Sequence, residues 1–233
     1  MSRLRFLGHN AWEVQTEKGT FLIDPFLTGN PVAVTNVESL SPEWIFVSHG
    51  HGDHLGDTLS IACRTNATVV TMVELGEWLK KRGVANVVGM NLGGEWEGAF
   101  GNVRMVPALH SSSTPDGEYA GSPCGWLFTL LCGTRIYFAC DTALSAEMAL
   151  LGKEPLDVAV LPIGGHYTMG PEEALRAVKM LQPKVAIPCH YNTWPVIAQD
   201  DEKWASAVER ETTTRVHRLA PGESFSLDGL AKM

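Results

Sequence analysis

Apolar residues recur in short runs near the start of the chain, and polar turns separate these runs. Three of them, Arg3–Leu7, Trp12–Thr16 and Thr20–Asp24, have the composition of β-strands, and Glu17-Lys18-Gly19 supplies a hairpin turn between the second and the third. A fourth run, Trp44–Ser48, is almost continuously apolar, which is typical of a strand buried on both faces. The pattern therefore predicts a β-rich N-terminal region.

Helical patterns begin after this strand and alternate with further strands. Leu55–Arg64 and Val73–Arg82 have the spacing of helices, and Gly83 is suited to end the second. The clearest helix begins at Pro171, has acidic residues in its first turn and one apolar face, and stops before Pro183. The other predicted elements are strands at Thr68–Thr71, Val84–Met90, Val103–Pro107, Trp126–Leu131, Arg135–Cys140, Asp157–Pro162 and Lys184–Pro188, and a last helix from Val196 to about Glu211.

This order of elements predicts an α/β fold. Hairpins in the first two-thirds and strand–helix–strand units throughout indicate two mixed sheets between outer helices. Of the 233 residues, 45% are hydrophobic and 19% are charged, so the chain can bury a substantial core and does not have the composition of a disordered protein. Since no linker or solenoid repeat divides the sequence, we expect residues 1–233 to form a single domain.

Charge and cysteine content exclude several classes of protein. The net charge is −8, the pI is near 5.5 and the longest basic run is Lys80-Lys81-Arg82, so a nucleic-acid partner is not expected. Five cysteines without a CxxC spacing do not form the pattern of a disulfide framework. The first residues lack the apolar core of a signal peptide, and no apolar stretch approaches the roughly 18–20 residues of a membrane span. We therefore expect a cytoplasmic protein that does not bind membranes.

The most informative segment is Ser48–His54, which follows the buried strand directly. Its three imidazoles and one carboxylate fall within six residues, and such groups are costly to bury without partners. The two glycines between them allow the backbone to curl, so that alternate side chains converge. His49 and His51 can then reach one metal ion, while Asp53 and His54 point toward a neighbouring position. The segment predicts a metal site rather than a solvated loop.

A metal site needs more ligands than one loop supplies, and three strand ends offer them. His110 follows the strand that begins at Val103, Asp141 follows the strand that ends at Cys140, and His190 follows the strand that begins at Lys184. Each residue alone would more often cap a strand. Because sites in α/β folds gather beyond the carboxyl ends of strands, we expect all three to complete the site.

The order of these residues resembles the five ligand motifs of the metallo-β-lactamase superfamily, and in particular its uncharacterised metal-dependent hydrolases related to the ascorbate-phosphate lactonases. The resemblance covers nearly the whole chain. Besides the ligand motifs, it includes the segments Leu7–Ala11, Asp24-Pro25, Gly29–Pro31, Ala108–Ser111, Leu161–Gly165, Thr168–Pro171 and Ile187–Tyr191. It implies a four-layer αβ/βα sandwich built from two halves. One departure is Cys140, at a position where relatives more often have glycine.

The resemblance also implies a centre for two divalent ions, with Asp141 bridging them. The six other ligands divide into His49, His51 and His110 for one ion and Asp53, His54 and His190 for the other. Imidazole and carboxylate ligands suit Zn²⁺, and Mn²⁺, Fe or Ni²⁺ are alternatives. Two such ions about 3.5–4 Å apart lower the pKa of a shared water and supply a bridging hydroxide near neutral pH.

Further residues are candidates for supporting roles. Asp53 could accept a hydrogen bond from the attacking water, and His166 and Tyr167, on a loop after a strand, could stabilise an oxyanion or protonate a leaving group. Alternatively, Tyr167 only lines the pocket. His9 and Asp24 either orient ligand histidines or cap strand ends that face water.

Residues outside the predicted site are also assigned from the sequence. His217 is expected at the surface, and the Cys140 and Cys189 thiols should point into the core, because neighbours on a strand face opposite sides. Cys124, in a loop rich in glycine and proline, is expected to be exposed. The polar loops Pro25–Glu43 and Ser111–Pro123 are expected to shape the substrate pocket.

The sequence thus predicts a binuclear metal-dependent hydrolase that cleaves an ester-like bond of a small molecule, with a lactone or carboxylic ester preferred over a phosphodiester. A phosphodiesterase or nuclease of the same fold is the main alternative, although the acidic chain shows no basic groove. A protein that binds metal without catalysis is a third hypothesis. An oligomer is compatible with the seven tryptophans, one of which could lie at a subunit contact.

Overall fold

The computed structural model describes residues 2–230, whose elements fall into two halves with a similar order. The strands of the first half, β1 to β6, are Arg3–Gly8, Ala11–Thr16, Gly19–Ile23, Trp44–Phe46, Thr68–Met72 and Val87–Met90. Its helices, α1 to α3, are Gly52–Leu55, Thr58–Thr65 and Val73–Lys81. A short 3-10 turn at Val37–Ser39 lies in the loop between β3 and β4.

The second half repeats a meander followed by strands that alternate with helices. Its strands, β7 to β13, are Glu95–Gly98, Gly101–Pro107, Cys124–Leu130, Arg135–Phe138, Val158–Pro162, Val185–Cys189 and Arg215–Val216. Its helices, α4 to α6, are Glu147–Leu151, Pro171–Leu181 and Asp201–Glu211, with a 3-10 turn at Pro195–Ile197 before α6. The last strand, β14 (Ser224–Ser226), returns to the first half. Within residues 2–230 no helix is both long and apolar enough to cross a membrane.

The two halves form two seven-stranded mixed sheets. The first has the order β14-β1-β2-β3-β4-β5-β6, antiparallel from β14 to β3 and parallel from β3 to β6. The second has the order β13-β12-β11-β10-β9-β8-β7, antiparallel from β7 to β10 and parallel from β10 to β13. The predicted α/β fold with two mixed sheets is confirmed.

The sheets and the helices outside them form four layers, and three apolar clusters fill the interfaces between these layers. Between the sheets lie aromatic side chains of both, for example Phe21 stacked on Phe128 at 4.7 Å between ring centroids and Phe46 edge-on to Trp126 at 5.3 Å. The outer face of the first sheet packs against α2 and α3, and the outer face of the second packs against α5 and α6. The helices therefore cover both outer faces and leave the strand ends free to build a site.

Two helix boundaries differ from the predictions. The predicted helix Leu55–Arg64 is split, because Gly56 has a φ of +44° and a Cβ there would lie 2.5 Å from the Pro25 carbonyl oxygen. The last helix begins at Asp201 and not at Val196, because the Asp200 side chain accepts a hydrogen bond from a backbone N–H in its first turn. The residues between β12 and this helix form a connecting loop, and part of that loop lines the site described below.

The carboxyl ends of the central strands of both sheets meet at one edge of the sandwich. Two backbone hydrogen bonds join the sheets there: His190 N–H donates to the His9 carbonyl at 2.8 Å, and Cys124 N–H donates to the Ser48 carbonyl at 3.1 Å. Cys124, which was expected to be exposed, is fully buried because it begins β9 and is held by this bond. The segment after β4 that the sequence predicts to hold metal is thereby placed opposite the strand ends of the second half.

Candidate metal centre

The first ligand group consists of His49, His51 and His110. Their ring nitrogens lie within 4.8 Å of one another, and His49 Nε2 is 3.0 Å from His51 Nδ1. Burial is the main cause that lowers the pKa of each of the three imidazoles. These rings are therefore neutral near pH 7 and have a lone pair available for a metal ion.

Gly50 explains how the loop after His110 approaches the motif. A Cβ on Gly50 would lie 2.6 Å from the Ala120 Cβ and 2.8 Å from the Ser113 carbonyl oxygen. The absence of a side chain at this position therefore lets the segment after His110 lie directly on the motif, so that His110 reaches the two histidines of the other half.

The second ligand group consists of Asp53, His54 and His190, and His9 lies among them. One ligand atom from each of these four residues lies within 4.8 Å of the others. The Asp53 Oδ2 atom is 4.0 Å from His54 Nε2 and 3.9 Å from His190 Nε2. His54 and His190 are buried, whereas the Asp53 side chain is partly exposed.

Asp141 lies between the two ligand groups. Its Oδ2 atom is 3.2 Å from His190 Nε2 and 3.4 Å from His110 Nε2, and its Oδ1 atom is 3.2 Å from His54 Nε2. The preceding Cys140 has a φ of +52°, in the left-handed region. That conformation accounts for why glycine would be suited to this position, and it turns Asp141 out of the strand direction toward the histidines.

Several buried polar atoms at this centre need a partner. Among residues 2–230, His54 Nε2, both ring nitrogens of His190 and Asp141 Oδ1 are buried and make no hydrogen bond. Unpartnered buried polar atoms are costly, and four of the eight such side-chain atoms among residues 2–230 lie here, where imidazoles and a carboxylate converge. A divalent cation is the partner that suits this set of imidazole nitrogens and carboxylate oxygens. The residues present therefore fit a metal centre.

Electrostatic coupling sets the charges of the central groups. Burial would raise the pKa of Asp141, but His190 and His54 outweigh it and hold that pKa well below its usual value. Burial would lower the pKa of His54, but Asp141 and Asp24 outweigh it and raise that pKa well above its usual value. Asp141 is thus ionised, and a metal ion bound by His54 would take the place of the second proton of that imidazole.

Asp24 connects the two ligand groups from beneath. It is fully buried, and its carboxylate accepts hydrogen bonds from His54 Nδ1 at 2.7 Å, from the Ser48 hydroxyl at 2.6 Å and from Asn10 Nδ2 at 2.8 Å. Since the Ser48 hydroxyl donates to Asp24, it accepts from His49 Nδ1 at 3.0 Å. The Nε2 atoms of His49 and His54 are therefore both left free for metal ions.

His9 supports Asp53. It is fully buried, and burial together with the charge of His190 lowers its pKa to about 4. His9 Nε2 lies 3.2 Å from Asp53 Oδ2, and its Nδ1 lies 2.8 Å from the Thr193 hydroxyl. Because an ionised carboxylate only accepts, the neutral ring donates from Nε2 to Asp53 and accepts at Nδ1 from Thr193. Burial would raise the pKa of Asp53, but this bond and the charge of His54 hold it below its usual value.

A cavity of about 560 Å³ opens onto the centre. Its lining consists of His51, Asp53, His110, Ser111, Asp141, Tyr167, His190, Trp194 and Val196. Of the two residues predicted from the loop after β11, Tyr167 lines this cavity. His166 does not: it is exposed, and its ring stands edge-on to Tyr167 at 4.5 Å. The structure thus brings all seven predicted metal ligands together and leaves His166 at the rim.

Ser111, in a loop that was expected to shape the pocket, lines the cavity. Sequence reasoning missed Thr193, Trp194 and Val196. All three follow His190 within six residues, and their place after a strand end was the available signal; Val196 was instead assigned to the start of the last helix. His217 is exposed and packs against Phe225, away from the site.

Comparisons with known proteins agree with this geometry. A profile of the beta-lactamase superfamily domain matches residues 20–191. A UPF0173 metal-dependent hydrolase of Desulforamulus reducens is 47% identical over 231 residues, which cover 97% of this chain and 100% of the relative. One of Thermus thermophilus is 46% identical, covering 98% and 100%. The solved structure of Igni18, a metallo hydrolase of Ignicoccus hospitalis, is 35% identical with a TM-score of 0.88, and the match covers 97% and 99% of the two chains.

Proposed function

Because the chain belongs to the metal-dependent hydrolases of the beta-lactamase superfamily, we propose that it hydrolyses an ester-like bond of a small molecule at a centre for two divalent ions. A lactone or a carboxylic ester is the preferred substrate. The observation that supports this proposal most directly is the position of Asp141, whose two oxygens lie within 3.4 Å of nitrogens from both ligand groups.

The first ligand group would hold one ion, the second ligand group would hold the other, and Asp141 would contact both. Zn²⁺ is the preferred ion, because the donors are mainly imidazole nitrogens with two carboxylates. Such ions, when bound, lower the pKa of water and stabilise the negative charge that develops on the ester oxygen.

Asp53 and Tyr167 are the side chains that we assign to the reaction. Asp53 is partly exposed to the cavity, and His9 holds one of its oxygens, so the carboxylate is oriented to accept a hydrogen bond from the attacking water. The Tyr167 side chain is 54% exposed in the same cavity, where its hydroxyl can donate to the leaving oxygen. His166 lies outside the cavity lining with its ring edge-on to Tyr167, so we assign it no direct part in the reaction.

The test is hydrolysis by the metal-loaded protein of three neutral or charged probes: δ-valerolactone, ethyl acetate and bis(p-nitrophenyl) phosphate. We expect turnover of the lactone or the carboxylic ester that depends on added metal. Turnover of the phosphate diester alone would replace the proposal with a phosphodiesterase, and no turnover with full metal occupancy would favour a protein that binds metal without these reactions.

A further inference from the structure

One wall of the cavity is aromatic and apolar. It is formed by Tyr167 from the loop after β11 and by Trp194 and Val196 from the loop after β12. The Tyr167 side chain is 54% exposed and Val196 is 49% exposed. Apolar area that faces solvent inside a cavity beside catalytic groups is suited to contact a ligand.

Hydrogen bonds hold the two loops of this wall together. Gln199 Nε2 donates to the Gly164 carbonyl oxygen at 2.9 Å, which joins the loop after β12 to the loop after β11. The loop after β12 is also closed on itself, because Asn192 N–H donates to the Ile197 carbonyl at 3.0 Å and Gln199 N–H donates to Asn192 Oδ1 at 2.8 Å. Ile197 is fully buried and anchors it. The wall is therefore formed before a ligand binds, which favours binding.

The wall adjoins the second ligand group. The Trp194 ring stands edge-on to His9 with 4.8 Å between ring centroids, and His9 contacts Asp53. A group that lies against Trp194 is therefore close to the carboxylate that we assign to the attacking water.

The charges of the cavity also bear on what it accepts. Besides Tyr167, its ionisable lining residues are Asp53, Asp141 and three histidines, and among residues 2–230 no lysine or arginine lines it. The side chains of the wall thus offer contact area to an uncharged group and no cation for a substituent phosphate or carboxylate.

We propose that Tyr167, Trp194 and Val196, which line one cavity beside the metal ligands, form a subsite for an uncharged aromatic or branched apolar group of the substrate. The enzyme then acts on apolar esters or lactones. This inference rests on the proposed function and specifies its substrate class.

The experiment compares three acetates on the metal-loaded protein. Benzyl acetate and ethyl acetate release alcohols of similar acidity, so a difference in KM reports contact with the ring, and 4-carboxybenzyl acetate adds a negative charge. We expect the KM of benzyl acetate to be roughly 3- to 10-fold below that of ethyl acetate, with kcat similar. The negative charge of 4-carboxybenzyl acetate should remove this advantage in KM over ethyl acetate.

Variants locate the preference. Trp194→Ala and Tyr167→Ala should each reduce the ratio of the two KM values, whereas Trp194→Phe and Tyr167→Phe keep a ring and should retain most of it. Leu131→Ala is the matched control, because Leu131 is 65% exposed on the turn after β9 and is not part of the cavity lining. Metal content, measured for every variant, separates loss of the subsite from loss of the centre.

A binding measurement separates this inference from the proposed function. Ligand-observed NMR with benzyl alcohol on the metal-loaded protein should show binding that Trp194→Ala weakens and Leu131→Ala does not. If no ester is hydrolysed but this pattern is found, the subsite stands and the proposed function is wrong. If the acetates are hydrolysed with equal KM values and the variants change neither KM nor binding, the hydrolase stands and the subsite is wrong.

Discussion

The two ligand groups differ in the burial of their imidazoles and in the neighbours that hold them. His51 and His110 are partly exposed, whereas His54 and His190 are buried. The first group contains only imidazoles. The second contains Asp53, which is itself held by His9. The two groups share Asp141 directly and Asp24 from beneath.

This difference predicts unequal metal affinities. A group that contains a carboxylate attracts a divalent cation more strongly than a group of neutral imidazoles. Hydrogen bonds from His54 to Asp24 and from His9 to Asp53 also fix the ligand side chains of the second group. Binding an ion there therefore costs less conformational entropy. We therefore expect the second position to bind its ion more tightly, and the first to exchange its ion more readily.

Asp141→Ala should have the largest effect, because Asp141 contacts both groups. We expect loss of at least one of the two ions and a fall in kcat/KM of at least about 100-fold. Elemental analysis and the hydrolysis assay measure both. His217→Ala is the control and should change neither. Full metal occupancy with unchanged activity in Asp141→Ala would remove its bridging role.

His110→Ala tests the independence of the two groups. We expect this variant to keep about one ion per chain, held by the second ligand group, because His110 contacts that group only through Asp141. His54→Ala removes a buried ligand that donates to Asp24 and lies 3.2 Å from Asp141, so this variant should leave the weaker position and bind metal less tightly. Titration with Zn²⁺ against a chromophoric chelator measures the affinities. Equal losses of metal affinity in the two variants would contradict the division of the ligands into two groups.

Asp24→Asn should weaken both positions without removing a ligand. An amide has only one acceptor oxygen. If that oxygen takes the place of Oδ2, the amide NH2 faces the Ser48 N–H that donates to Oδ1, and in the other orientation the bonds from His54 and the Ser48 hydroxyl are lost, so the orientation of His54 and His49 is disturbed together. We expect roughly 10- to 100-fold lower affinity at each position. The same chelator competition measures it, and a change at one position only would show that Asp24 does not connect the groups.

His9→Ala should have the smallest effect and act on the second position alone. It removes the donor to Asp53 and the acceptor for Thr193, and we expect roughly 10-fold weaker binding of the tighter ion. Ser48→Ala is the matched variant on the other side, since Ser48 contacts His49, and it should weaken the first position instead. Identical metal titrations for the two variants would overturn this assignment.

Much of this arrangement was predictable from local sequence signals. The strands of both central sheets and the helix beginning at Pro171 follow from apolar runs and capping residues, because each buries a regular face. Ser48–His54 stands out because its ligands are contiguous. His110, Asp141 and His190 were predicted only from their places at strand ends and from the family resemblance, since a single histidine or aspartate has no pattern.

The rest depends on contacts between distant segments. β14 has three residues and pairs with β1 more than 200 positions away in the sequence, so no local pattern marks it. Thr193 and Asn10 are ordinary polar residues whose roles follow only from the fold, because their partners His9 and Asp24 are brought to them by other strands. Trp194 was not assigned from the sequence, because a single tryptophan after a strand end has no pattern that marks it as part of a cavity.

The most direct test of the account is the metal content of the wild-type chain after it is stripped with a chelator, reconstituted with Zn²⁺ and freed of excess metal. Elemental analysis should then find two ions per chain, bound in two steps of different affinity, with hydrolysis of a lactone or carboxylic ester appearing as the second step completes. One ion or none per chain would contradict the two-group centre on which the proposed function depends.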